Sequence, residues 1–99
     1  MKHFSENTKL SMSEMILDAV RDQVDRTDYD SLVQTINNGE DDQAIAMALY
    51  WSTEGSWKIP KALFDPIREW GDDENWFYSR EAAEQALVHA GQPGLTTKH

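Results

Sequence analysis

The chain is expected to be mainly α, a small single-domain bundle of about five short helices around a buried central helix at residues 44–52. A minor two-stranded ribbon near residues 57 and 77 is the one expected departure. The longest apolar run, Ala44-Ile45-Ala46-Met47-Ala48-Leu49-Tyr50-Trp51, holds three alanines and no helix breaker. Alanine is the best helix former and is depleted in strands. Glu40-Asp41-Asp42 just before it puts negative charge where a helix dipole is positive. The segments on either side carry apolar residues three and four apart and end in glycine. A strand with Ile45, Met47, Leu49 and Trp51 on one face is the competing reading of the central run. As a helix it is apolar on nearly every side and has to be surrounded by other elements.

Residues 1–10 read as a loosely held arm, with Phe4 and Leu10 able to dock on the core. Ser11 and Glu14 have capping-box spacing, so the first helix is expected from there to about Asp25. Met12, Ile16, Ala19, Val20 and Gln23 form its inner face, widened by Leu17 and Val24. Thr27 or Asp28 can cap a second helix, with Tyr29, Leu32, Val33 and Ile36 facing inward and Asn37-Asn38-Gly39 closing it. Thr53-Glu54-Gly55-Ser56 ends the central helix.

Trp57-Lys58-Ile59 is extended in character and can pair with Trp76-Phe77-Tyr78 as the ribbon. Pro66 does not fit a helix interior, so Lys61–Phe64 and Pro66–Trp70 are expected as two turns, the second capped by Asp65 and stopped by Gly71. Asp72-Asp73-Glu74-Asn75 reads as a solvated loop. Ser79 caps a last helix to about Ala90, ended by Gly91, and residues 92–99 read as a frayed tail. The helical domain is thus residues 11–91.

No cysteine is present, which removes disulfides and thiolate metal sites and suits a reducing compartment. The N-terminus turns polar at once, unlike a signal peptide, and no run reaches the roughly 20 apolar residues of a membrane span. A cytoplasmic protein is expected. Enzyme signals are missing: His3, His89 and His99 form no triad pattern, and no phosphate-binding glycine loop or His-Glu-x-x-His occurs. Asp22-x-x-Asp25-x-x-Asp28-x-Asp30 lacks the glycine and glutamate of an EF-hand loop. No catalytic residue, cofactor or metal site is expected.

Charge is the most distinctive property, eighteen acids against nine bases for a net of −9. Direct binding to nucleic acid or to an anionic membrane is disfavoured. On a helical wheel Glu14, Asp18, Asp22 and Asp25 fall within about 80° of one another, opposite the apolar face. With Asp28, Asp30, Glu40, Asp41 and Asp42, residues 14–42 hold nine acids and two bases, a local net of −7. A solvated helix face, with Glu40 to Asp42 serving the next helix's dipole, accounts for this pattern. The functional reading notes that carboxylates one helical turn apart repeat every ~5–6 Å, near the spacing of phosphates along a nucleic-acid strand.

Eight of the ten aromatic residues lie between Tyr50 and Tyr78. Trp51 and Trp57 are expected in the core. Trp70 and Trp76, which flank Asp72, Asp73 and Glu74, are core candidates that can also serve as partly exposed anchors for a partner. In size, charge and lack of cysteine the chain resembles the small acidic inhibitors, anti-restriction and anti-CRISPR proteins among them, that phages and mobile elements direct at host nucleic-acid machinery. That resemblance implies a protein partner with a basic nucleic-acid-binding groove, met by the residue 14–42 acids. The alternative is an antitoxin- or immunity-type module that binds through Trp70, Trp76 and Tyr78.

Overall fold

The computed structural model describes residues 6–72 and 77–92, with the backbone alone for residues 6–11 and 77–78. Among these the chain forms five α-helices and no strand: α1 Glu6–Val20, α2 Arg26–Asn37, α3 Asp41–Thr53, α4 Phe64–Asp72 and α5 Phe77–His89. A single 3₁₀ turn, Lys61–Leu63, leads into α4.

The apolar run is the central helix. α3 packs against α1, α2 and α5, and its Ala44, Ile45, Ala46, Ala48 and Leu49 are buried. Its most extensive contact is with α5, whose Ala82, Ala83 and Ala86 are fully buried. Alanines on both sides leave little beyond Cβ between the two helices, so they pack closely. The expected inner faces are also observed, except that Gln23 is exposed and Val33 is only half-buried. Met12, Ile16 and Val20 of α1 and Leu32 of α2 are buried, while Leu17, Ala19, Val24, Tyr29 and Ile36 pack at the core's edge. Trp57 is buried as expected, whereas Trp51 is only partly so.

α2 and α3 end in the same way. Gly39 (φ 81°) donates its N–H to Ile36 and Glu40 donates to Thr35; Gly55 (φ 85°) donates to Ser52 and Ser56 to Trp51. This pair of bonds satisfies helix-end carbonyls and needs a left-handed residue, which glycine adopts without Cβ strain.

Three expectations require correction. α1 begins at Glu6, so Ser11 lies inside the helix instead of capping it. It also stops at Val20 rather than near Asp25, because Gln23 is drawn into a tertiary clamp. Its amide N–H donates to the Ala19 carbonyl (2.8 Å), its Oε1 accepts from the Lys58 N–H (3.0 Å), and its own backbone N–H turns back to Val20 (2.8 Å). The 57/77 ribbon is not formed. Trp57 is turned inward with its indole N–H on the Ala48 carbonyl (2.7 Å), so its segment is tied to α3, while Phe77 and Tyr78 belong to α5.

The remaining shifts are local. Ser79 is buried within the first turn of α5 instead of preceding it, and Gly71 is buried inside α4. Pro66 sits in the first turn of α4, where its missing N–H has no helical partner to lose. Residues 1–5 of the expected arm and 93–99 of the expected tail lie outside the described residues. No helix among the described residues is long and apolar enough to cross a membrane.

Candidate partner-binding surface

The fold divides the acids of residues 14–42 into two groups. Asp41 and Asp42 open α3 and face inward between elements. The Ser13 hydroxyl, itself buried, donates to Asp41 Oδ2 (2.8 Å) and joins α1 to α3. The Trp70 indole N–H donates to Asp42 Oδ1 (2.9 Å) and joins α4 to α3. Both carboxylates therefore satisfy buried donors as well as the helix dipole. Both are half-buried, and these bonds hold the bundle together.

Glu14, Asp18, Asp22, Asp25 and Asp30 form the second group, and all are exposed; Asp28 is half-buried. They do not form the straight one-turn stripe that the helical wheel suggests. Glu14 and Asp18 lie on α1, Asp22 is in the turn after it, and Asp25 is the extended residue (φ −62°, ψ 153°) preceding α2. The carboxylates thus follow the α1–α2 corner. Asp25 makes no side-chain cap. Glu40, also exposed, lies at the far end of α2.

Two arginines accompany this corner. Arg26 approaches Asp30 (3.6 Å) and Arg21 approaches Asp18 (3.5 Å), both as exposed pairs of little stabilising value. A hydrogen bond with Tyr29, the charge of Tyr29 and that of Asp18 hold the Arg21 guanidinium above its usual pKa. Arg21 thus carries a positive charge beside Tyr29 of α2.

Beneath it, Glu14, Met15, Leu17, Asp18, Arg21 and Tyr29 line a shallow hollow of about 630 Å³. Met15 is 39% exposed, unusual for a large apolar side chain here. Sequence reasoning did not single it out, although the signal was present. Met15 lies about 100° from Glu14 on the wheel, between the acidic sector and the apolar face.

The aromatic candidates fare differently. Trp70 is 1% exposed and has no free surface to anchor a partner, because α4 turns its apolar side onto the core and Asp42 takes its N–H. Asp72 lies beside Arg80 (3.3 Å), linking α4 to α5. Asp73, Glu74 and Trp76 lie outside the described residues. Among the described residues, no three His, Asp or Glu side chains are grouped to hold a metal ion.

Comparisons with protein-family models, with curated proteins and with solved structures find no match to this chain.

Proposed function

We propose that this chain is a small acidic protein-binding inhibitor. It occupies the basic nucleic-acid-binding groove of a nuclease or of a CRISPR- or restriction-type complex, as the charge resemblance implies. The supporting observation is the exposed carboxylate corner at Glu14, Asp18, Asp22, Asp25 and Asp30. None of the five is consumed by the core, in contrast to Asp41 and Asp42. A stable fold has no need of so many like charges at one corner, and Glu14 and Asp18, one turn apart on α1, repel at a cost of a few tenths of a kcal/mol. A groove lined with Lys and Arg would recover that cost on binding and draw the inhibitor in by long-range attraction. Met15 at the edge of the acids adds apolar contact.

The test is capture from bacterial lysate over a salt series, by the natural chain and by a Glu14→Gln, Asp18→Asn, Asp22→Asn, Asp25→Asn variant. The expected result is recovery of a nucleic-acid-binding protein that salt and added duplex DNA or RNA displace, with no recovery by the variant. Equal recovery by the variant, or a partner that nucleic acid fails to displace, would overturn the reading. Of the aromatic-anchored alternative, Trp70 is buried, while Trp76 and the Tyr78 side chain lie outside the described residues.

A further inference from the structure

On another side of the molecule, where the end of α5 meets the 55–59 segment, lies a cleft of about 600 Å³. That volume falls within the range of small-molecule sites. Trp57, Ile59 and Phe64 supply apolar walls, and Ala86 and Ala90 lie one turn apart on the opposite helix. The Ala90 N–H donates to the Ala86 carbonyl (3.0 Å), so the helical path continues to the rim and two small side chains leave the hollow open. The walls are held rigidly. Trp57 is fixed by its bond to Ala48, and Gln23, in the turn after α1, holds the Lys58 backbone N–H.

The charge of this cleft is opposite to that of the protein. In a chain with eighteen acids and nine bases, no Asp or Glu lines it, whereas Lys58 and His89 do. Lys58 is also available. Among the described residues Arg21, Arg26, Arg68 and Arg80 each lie beside an aspartate, but Lys58 makes no ion pair. The polar groups deeper in the wall are already engaged: Ser52 donates to Leu49 (2.6 Å) and the Trp57 N–H to Ala48. The Lys58 ammonium, the His89 ring and the Ser56 hydroxyl are therefore the groups left to orient a ligand.

The geometry points to a binding site for a small organic acid, an aromatic or branched apolar body carrying one carboxylate. The body lies between Trp57, Phe64 and the two alanines, and the carboxylate meets the Lys58 ammonium and a His89 ring N–H as charge-assisted hydrogen bonds. The negative field over the rest of the surface keeps such an anion from binding elsewhere, so occupancy is confined to this cleft. This inference is independent of the acidic corner and of its partner.

The experiment is titration of the full chain with 2-naphthoate and with its neutral counterpart 2-naphthalenemethanol, followed by the NMR shift of the Trp57 indole N–H. Expected are a saturable shift with the acid, weaker binding of the alcohol, and loss of about tenfold or more in acid affinity in Lys58→Glu. Ala90→Phe fills the hollow and is expected to abolish the shift. Lys58 and Ala90 are exposed, so both variants should keep the natural circular dichroism spectrum. A non-saturating shift, equal affinity for acid and alcohol, or unchanged binding in either folded variant would overturn the assignment. So would tighter binding of a short peptide through its C-terminal carboxylate, which would make the occupant a protein chain end.

Discussion

The indole N–H of Trp70 donates to Asp42 across 28 residues of chain, at 2.9 Å and with the tryptophan 1% exposed. This bond ties the buried Trp70 of α4 to the half-buried Asp42 in the first turn of α3. Asp42→Ala leaves that N–H buried without its acceptor and should cost about 1–3 kcal/mol. Trp70→Ala, which also opens a large cavity, should cost about 3–5 kcal/mol. Urea unfolding of the two variants measures both, and a loss near zero for Asp42→Ala would show the bond to be dispensable.

Gly39 holds φ 81° with nothing within 4 Å of the position a Cβ would take. Space is therefore no obstacle, and the cost of Gly39→Ala is conformational, about 1–2 kcal/mol. Thermal unfolding should show this loss with the helical signal of the folded state unchanged.

Neutralising Glu14, Asp18, Asp22 and Asp25 together should leave stability unchanged or raise it by a few tenths of a kcal/mol per relieved pair. The gain should shrink toward zero as salt approaches 1 M, where the screening length falls to about 3 Å. Denaturation at low and high salt separates this from a packing effect, which salt would not remove.

Leu87 and Val88 are neighbours on α5 with opposite fates, 0% and 54% exposed. Leu87→Ala should cost about 2–5 kcal/mol and Val88→Ala within about 0.5 kcal/mol. Similar losses from the two would mean that α5 is rotated relative to the core.

Much of the fold follows from local rules. The period of apolar residues identified the inner faces of α1 and α2, and alanine content identified α3 as the buried helix. Glycine after Asn38 and after Glu54 marked two helix ends, since a left-handed residue there is a property of a few neighbouring atoms. The exposure of Glu14 and Asp18 was legible too, because residues opposite an apolar face remain in water, whereas the corner that continues through Asp22 and Asp25 was not.

What only the tertiary structure decided is what each face and each polar group meets. Asp41 and Asp42 look in sequence like Glu14 and Asp18, yet Ser13 and Trp70, each 28 residues away, turn the first pair into joints of the bundle. Gln23 ends α1 because Lys58 lies 35 residues along the chain, and Trp57 has no strand partner because Phe77 and Tyr78 are drawn into α5. Periodicity reports which side of a helix leaves water. It carries no information on the distant donor or acceptor that waits there, and that is set by how the helices pack.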